Sequence, residues 1–226
     1  MTIIKSDTWK IFEIILLIFA YMVLIINAFV YKDSTIAVSS AFFGITYTML
    51  AGKGIPKCYL FGLAGSFLYS WLSYSNALWG NLALYMLYYI PMQTIGFFKW
   101  HKHLKKDKNE IIKTKLIPRE ALYICLITII LTLLCISGLF ILNDRSPVID
   151  GITTIFSIVG MYLTVKRCVE QWTVWIIVNG LSTIMWINIA LNGEKVFSTV
   201  FMWLIYFILA IYFYKNWHNE IKNNTL

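Results

Sequence analysis

Long apolar runs separated by short polar breaks dominate the chain. Each run is about 17–22 residues long, close to the ~20 residues that a helix needs to cross a hydrocarbon core of ~30 Å. Backbone N–H and C=O groups find no water inside lipid, so every run is predicted to be helical. The pattern therefore predicts an all-α polytopic membrane protein with eight transmembrane helices, at 11–31, 35–51, 58–75, 79–98, 121–142, 148–165, 171–190 and 196–214.

The polar breaks carry most of the charge and predict an orientation. The longest break, 99–119, is too basic to span a membrane and is interpreted as a cytoplasmic linker. If the N-terminus is cytoplasmic, 16 of the 19 Lys and Arg residues fall on the inside, and only Lys32, Arg145 and Lys195 fall outside. Because cytoplasmic loops are enriched in Lys and Arg, this distribution favours eight spans with both termini in the cytoplasm.

Composition agrees with a membrane protein and excludes several other classes. The 226 residues are 59% hydrophobic, with a mean hydropathy of +0.71, more apolar surface than a soluble domain of this length could bury. Membrane topology explains the net charge of +8, so no nucleic-acid partner is expected. The four cysteines form no CxxC pair and predict no metal site. No phosphate-binding glycine loop is present, and no cofactor is expected.

A weak internal repeat divides the chain. Three residues of one half match three of the other at an offset of 115: Tyr47, Gly65 and Trp71 match Tyr162, Gly180 and Trp186. With a two-residue gap, Trp100 matches Trp217. One helix lies between the two triplets of spans, so the triplets have the same orientation, as in the parallel repeats of SWEET proteins.

The repeat predicts six segments in a SWEET-like 3+1+3 order. An extra N-terminal helix (1–33) precedes a first three-helix bundle (34–100), which is followed by a basic linker (101–118) and a linker helix (119–143). A second three-helix bundle (144–217) and a cytoplasmic tail (218–226) complete the chain. The repeat provides no function for the extra helix.

The seventh predicted span carries a stripe that suits a ligand. Trp172, Trp175, Asn179, Ser182 and Trp186 recur at spacings of three and four and share one helix face. Tryptophan rings and an amide make a poor lipid face but a good wall for a flat ligand with a polar rim. The alternative is packing between helices, with the amide bonded to a neighbouring helix.

The fourth predicted span carries two further stripes and a proline. Pro91 removes one backbone hydrogen bond and is predicted to bend the helix, as a hinge beside a binding cavity would. The stripes consist of Asn81, Tyr85, Tyr88 and Met92, and of Tyr85, Tyr89, Gln93 and Gly96.

The middles of the predicted spans contain no Asp, Glu, Lys, Arg or His. Proton and ion relays need such residues despite the cost of placing them in lipid, so proton coupling is disfavoured. An intramembrane hydrolase would also need an acid–base or metal constellation. We therefore expect that the protein is not an enzyme. Without proton or ion coupling, facilitated diffusion is the simplest transport mechanism.

Two segments of the chain resemble the PnuC family of vitamin-related transporters. They are WGNLALYMLYYIPMQTIGFFKW (79–100) and KRCVEQWTVWIIVNGLSTIMW (166–186), within a match from about 34 to 217. The resemblance implies a fold like a full-length SWEET and a homotrimer in the bacterial inner membrane. It also implies uptake of nicotinamide riboside by facilitated diffusion, with a separate cytoplasmic kinase that traps the substrate by phosphorylation.

The resemblance also assigns roles to residues. Gln93 and Asn179 would bond the ribose hydroxyls or the carboxamide, and the tryptophans would stack on the pyridinium, where cation–π attraction adds to binding. Asn81 would line the same site. Together with the stripes, the predicted substrate-binding residues are Asn81, Tyr85, Tyr88, Gln93, Trp172, Trp175, Asn179, Ser182 and Trp186, with Pro91 as the hinge.

Pro91 has no partner in the second half of the repeat, so the two halves are not expected to move symmetrically. Alternatives to this function remain open at the sequence level. A relative that carries thiamine or riboflavin would have a similar pocket. A membrane receptor or scaffold would tolerate the loss of Asn179 or Gln93, and an intramembrane enzyme lacks candidate catalytic groups.

Overall fold

The structure, a computed structural model, describes residues 9–104 and 110–224. Over these ranges the chain forms eight helices and no β-strand. The fourth helix, α4, runs through three consecutive segments, of which the middle one is a π-helix. The helices are α1 (Ile11–Phe29), α2 (Thr35–Gly52), α3 (Cys58–Ser75), α4 (Trp79–Ala83, Leu84–Tyr89 and Ile90–His101), α5 (Pro118–Ile141), α6 (Pro147–Lys166), α7 (Gln171–Leu191) and α8 (Phe197–Asn224).

Six of these helices, all but α3 and α4, are long and apolar enough to cross a membrane. The sequence of α3 is rich in serine and tyrosine, and the longest single segment of α4 has 12 residues. That α3 and α4 also span the membrane stays a prediction. Most predicted helix boundaries agree with the structure to within a few residues, but α8 continues through Asn224, past the predicted end at 214. Its last turns are held by the buried Trp217 and by an ion pair between Glu220 and Lys113 of the linker.

The two halves, α2–α4 and α6–α8, exchange contacts through their third helices. Within each half, α2 packs on α3, and α7 packs on α6 and α8. In addition, α8 packs on α2 and α4 packs on α6. The third helix of each half therefore contacts the first helix of the other, which builds an interface through the middle of the molecule.

Matching hydrogen bonds join the two halves at the end of the molecule that carries the linker, the linker end. The indole Nε1 of Trp100 in α4 donates to the backbone oxygen of Thr164 in α6 at 3.1 Å. Likewise, Nε1 of Trp217 in α8 donates to the backbone oxygen of Gly52 in α2 at 2.7 Å. Trp100 and Trp217 are the pair that the sequence repeat aligned, and they make equivalent bonds.

Two aspartates join the two halves at the opposite end of the molecule. The backbone N–H of Trp79, at the start of α4, donates to Asp144 just before α6 at 3.2 Å. The backbone N–H of Ser198, at the start of α8, donates to Asp33 just before α2 at 2.6 Å. A carboxylate at a helix N-terminus accepts an otherwise unpaired N–H and is stabilised by the helix dipole.

The remaining two helices, α1 and α5, lie beside the first helices of the two halves. Helix α1 packs on α2 and α8, and α5 packs on α6. Each contributes a glutamate from its first turn to a lysine at the end of its neighbour. Glu13 lies 2.8 Å from Lys53, and Glu120 lies 3.4 Å from Lys166.

The described part of the linker is docked against the bundle. The backbone N–H of Ile111, a fully buried residue, donates to the oxygen of Gly54 at 3.1 Å. Thr114 forms a parallel bridge with Cys168 at the turn between α6 and α7. Residues 105–109 of the predicted linker lie outside the described ranges.

Candidate functional site

A cavity of about 80 Å³ lies between the two halves. All six helices of the halves contribute to its wall. The lining residues are Ser40, Gly44, Tyr47, Thr48 and Ala51 of α2, Gly62, Gly65, Ser66 and Tyr69 of α3, Tyr85, Tyr89 and Gln93 of α4, Thr164 of α6, Gln171, Trp172, Trp175 and Asn179 of α7, and Met202, Trp203 and Tyr206 of α8.

The cavity wall is aromatic and uncharged. Eight Tyr and Trp side chains line it, and no Asp, Glu, Lys, Arg or His of the described chain does. Such a wall binds flat rings by stacking and attracts cations through the ring faces. It offers no counter-charge to an anion.

Two buried polar atoms in this wall have no hydrogen-bond partner within the described ranges. The Nε2 of Gln93 donates to Ser66 Oγ at 2.8 Å, which leaves Gln93 Oε1 as a free acceptor. The indole N–H of Trp172 is a free donor. Buried polar groups are rarely left unpaired, so these two atoms mark where a polar ligand would be held.

Tyr69 holds three helices around the cavity. Its hydroxyl oxygen accepts from the indole N–H of Trp186 at 2.7 Å and from that of Trp203 at 3.2 Å. Its ring lies 4.4 Å from the ring of Tyr85, between centroids. A phenol oxygen has two acceptor sites, and both are filled here, so the hydroxyl proton remains to be donated.

Comparison with known proteins identifies the family. The family model described as "Nicotinamide mononucleotide transporter" matches residues 34–219. A nicotinamide riboside transporter PnuC of Neisseria mucosa is 34% identical over 225 residues, covering 96% of this chain and 84% of the relative. The chain belongs to the PnuC family. It is accordingly a multi-pass membrane protein of a transporter family.

Further relatives agree with membership of the PnuC family. The nicotinamide riboside transporter PnuC of Haemophilus influenzae is 28% identical, covering 96% of this chain and 94% of the relative. Among solved structures, the crystal structure of the vitamin B3 transporter PnuC has a TM-score of 0.86 and 32% identity, covering 96% of this chain and 94% of that one. The all-helical fold is thus the PnuC fold over nearly its whole length.

Five of the nine residues proposed from the sequence to bind substrate line the cavity of this PnuC-family chain. Tyr85 and Gln93 reach it from α4, and Trp172, Trp175 and Asn179 reach it from α7. The structure therefore brings the middle of α4 and the first half of α7 together. In α4 it is the stripe of Tyr85, Tyr89 and Gln93 that faces the cavity.

The other four predicted residues lie elsewhere in the packing. Asn81 donates to the buried carboxylate of Asp150, and the Tyr88 hydroxyl donates to the backbone oxygen of Ile158 at 2.9 Å. Ser182 is buried, and Trp186 is hydrogen-bonded to Tyr69 but does not itself line the cavity. The stripe from 172 to 186 is about 21 Å long at 1.5 Å per residue, so one helix face passes both the cavity and the helix packing beyond it.

The predicted hinge residue Pro91 lies directly after a π-helical segment. This segment, Leu84–Tyr89, interrupts the α-helix just before the proline. A proline lacks a backbone N–H and clashes with the carbonyl four residues earlier, here that of Leu87, which disturbs the regular hydrogen-bond ladder. The segment presents Tyr85 and Tyr89 to the cavity, with their ring centroids 4.6 Å apart.

Sequence reasoning missed the contributions of α2, α3 and α8. Tyr47, Ser66, Tyr69 and Tyr206 line the cavity but stand on helices where no stripe was recognised. Ser66 and Tyr69 lie between Gly65 and Trp71, two positions of the internal repeat, which predicted only the architecture. The structure also shows why position 44 is a glycine, because a Cβ there would lie 1.8 Å from the Tyr206 hydroxyl.

No group of three or more His, Cys, Asp or Glu residues that could hold a metal ion occurs in the described ranges. The chemistry that the cavity offers is hydrogen bonding and ring stacking.

Proposed function

We propose that this protein takes up nicotinamide riboside across the bacterial inner membrane by facilitated diffusion. Net uptake is driven by a separate cytoplasmic kinase that phosphorylates the riboside and so prevents its return. The observation that carries the proposal is the uncharged, aromatic cavity between the halves. The described residues of its wall could bind the riboside and include no charged group for proton coupling.

The same observation favours the riboside over the mononucleotide. The family description names the mononucleotide and the relatives name the riboside; the two molecules differ by one phosphate group. A phosphate carries up to two negative charges and needs cationic or several N–H partners, which this cavity lacks among the described residues. The riboside instead carries a fixed positive charge on its pyridinium ring, which aromatic faces attract.

Within the cavity, each half supplies part of the binding. The free Oε1 of Gln93 accepts from a ribose hydroxyl or from the carboxamide N–H, and Asn179 bonds the same groups from the opposite wall. The free indole N–H of Trp172 donates to a substrate oxygen, and Trp175 stacks on the pyridinium. These roles rest on the unpartnered atoms and on the positions of the side chains around one cavity.

The cavity must enlarge to admit the riboside. Its volume of about 80 Å³ is below the roughly 300–1,000 Å³ of typical small-molecule sites. The π-helical segment before Pro91 is the irregular part of α4, and irregular helix geometry often accompanies functional motion. Movement of α4 about this segment would open the cavity toward one side of the membrane at a time.

The topology that we propose has eight spans with both termini in the cytoplasm, and a parallel 3+1+3 arrangement. The reciprocal bonds of Trp100 and Trp217 support a repeat of this kind. The basic segments gather at the linker end, which is therefore placed in the cytoplasm. A homotrimer is proposed from the family resemblance alone.

Tryptophan fluorescence tests the substrate. The purified protein in detergent would be titrated with nicotinamide riboside, nicotinamide mononucleotide, thiamine and riboflavin. We expect saturable quenching by the riboside and much weaker binding of the mononucleotide. If thiamine or riboflavin binds more tightly than the riboside, that vitamin is the substrate instead. If none of the four molecules binds, a receptor or scaffold is favoured.

Proteoliposomes test the mechanism. With no membrane potential imposed, uptake of labelled riboside should stop when the internal and external concentrations are equal, and a pH gradient alone should not change that end point. Enclosing a riboside kinase with ATP should prolong uptake. Accumulation above the external concentration without the kinase would contradict facilitated diffusion.

A further inference from the structure

A second cavity, of about 380 Å³, opens at the linker end. Four parts of the chain form it: the end of α4, the linker residues 114–117, the start of α5 and the end of α6. It contains no tryptophan or tyrosine. Its chemistry is therefore different from that of the central cavity.

The second cavity is strongly cationic. Among the described residues, Lys99, Lys115, Lys166 and Arg167 line it, together with one carboxylate, Glu120, which lies 3.4 Å from Lys166. In the described part of the chain, Lys99 and Lys115 have no ion-pair partner. Three of the four cations are therefore left without a carboxylate in the cavity itself.

Local structure holds this charge in place. Arg167 has a left-handed backbone conformation (φ 66°) at the end of α6, which a side chain other than glycine rarely adopts. The linker is bonded on both sides of Thr114, whose N–H donates to Arg167 O and whose oxygen accepts from Val169 N, both at 2.9 Å. Partial withdrawal from water lowers the pKa of Arg167, as expected of a guanidinium without a facing anion.

Exposed apolar side chains adjoin the cations. Ile117 lines the cavity and is 62% exposed. Phe98 and Leu122, which lie close to Lys99 and Glu120 in sequence but do not line the cavity, are similarly exposed. Cations beside an apolar, lipid-facing surface match an amphipathic molecule with an anionic head and apolar chains.

We propose that this second cavity binds the phosphate group of an anionic phospholipid in the cytoplasmic leaflet. The assignment of the leaflet rests on the orientation given under the proposed function. Basic pockets between membrane helices on the cytoplasmic side are suited to anionic headgroups. The positive-inside rule alone requires cations in this segment, but it does not require them around one cavity.

Lipid bound here would join the two halves. Lys99 lies in the last turn of α4 in the first half, and Lys166 and Arg167 lie at the end of α6 in the second. A phosphate between them would reinforce the bond from Trp100 to Thr164 at the same end. Anionic lipid should therefore raise the thermal stability of the protein.

Native mass spectrometry and thermal unfolding test the proposal. Delipidated protein in detergent would be titrated with phosphatidylglycerol or phosphatidylcholine. The double variant Lys99→Gln/Lys115→Gln removes two cavity cations that make no ion pair with any described residue. The control, Lys57→Gln/Lys215→Gln, removes two exposed cations at the same end of the molecule but outside the cavity.

We expect the original protein and the control to retain phosphatidylglycerol and to unfold at a higher temperature with it. The cavity variant should bind it roughly tenfold more weakly, since each lysine near an anionic headgroup contributes several-fold in affinity. Equal weakening in the control would overturn the site. Equal binding of phosphatidylcholine would overturn the need for an anionic lipid.

Soluble phosphates separate the two possible sources of the ligand. Inorganic phosphate and nicotinamide mononucleotide would be added in place of lipid. If either stabilises the protein through Lys99 and Lys115 while phosphatidylglycerol does not, the lipid assignment is overturned. Because riboside binding is measured separately by tryptophan quenching, failure of the lipid site and failure of the proposed function are distinguishable.

Discussion

Two ion pairs occupy matching places in the two halves but differ in their surroundings. Glu13 of α1 binds Lys53 at the end of α2, and Glu120 of α5 binds Lys166 at the end of α6. The first pair is buried, with side chains 3% and 5% exposed. The second is open, with side chains 48% and 36% exposed. The same kind of ion pair is therefore shielded from solvent in the first half and exposed to it in the second.

The first pair is enclosed by further partners. Tyr212 of α8 donates to Glu13 Oε1 at 3.1 Å, and the ammonium of Lys53 lies 4.9 Å from the ring centroid of Trp9. The second pair stands in the basic cavity instead. Helix α1 therefore closes the end of its half, whereas the corresponding ion pair beside α5 stays exposed.

Substitution of the two glutamates should give the largest difference in stability between the two ion pairs. Glu13→Gln leaves Lys53 buried without a counter-charge, which typically costs about 3–5 kcal/mol. Glu120→Gln should cost about 0–1 kcal/mol, as for other exposed pairs. Thermal unfolding in detergent measures both. Equal losses would show that burial does not distinguish the two halves.

Loss of one amide from each half should weaken substrate binding next. Gln93→Ala and Asn179→Ala should each weaken riboside binding by about 1–3 kcal/mol, because the partner group on the ligand is left unpaired. Titration by tryptophan quenching measures the effect. The control is Asn188→Ala, an exposed amide on the same helix as Asn179. Unchanged uptake by the Asn179 variant would show that Asn179 does not bind the substrate.

The reciprocal tryptophans should have smaller and similar effects. Trp100→Phe and Trp217→Phe each remove one hydrogen bond to the first helix of the other half. Each should cost about 0.5–1.5 kcal/mol for that bond, in addition to lost packing, since both indoles are fully buried. The two losses of stability are compared by measuring the unfolding temperature of each variant. A large loss in one and none in the other would contradict their equivalence.

Replacement of Pro91 should change equilibrium binding least and transport most. Pro91→Ala restores a backbone N–H and allows a regular helix through the π segment. Because Pro91 is exposed, we expect a change of at most about 0.5 kcal/mol in riboside affinity but slower uptake in proteoliposomes. Pro147→Ala, in the first turn of α6, is the control, and an equal slowing in that variant would argue against a hinge.

Sequence periodicity predicted the helices well because lipid imposes one rule on every span. Apolar runs longer than about 17 residues leave few alternatives to a helix, and most observed boundaries lie near the predicted ones. The end of α8 was missed because its last turns are not held by lipid. Trp217 and Glu220 continue the helix through contacts with Gly52 and with the linker, which are distant in sequence.

Spacing on one helix was less informative about the cavity. It placed Trp172, Trp175 and Asn179 on one face correctly, but the same face carries Trp186, which packs behind Tyr69. Helix periodicity gives the direction of a side chain around the helix axis. It does not give the depth at which a neighbouring helix closes the space.

The sequence by itself determined the class of the protein, its helices and the uncharged nature of their central turns, because these follow from chain composition and from the solvent. It also paired Trp100 with Trp217, which make equivalent hydrogen bonds in the structure. Only the tertiary structure decided that Tyr47, Ser66, Tyr69 and Tyr206 complete the cavity wall, and that Lys99, Lys115, Lys166 and Arg167 surround a second cavity. Both outcomes depend on which helices meet and how closely, and residues such as Gly44 and Gly52 show their role in that approach only once α8 is packed against α2.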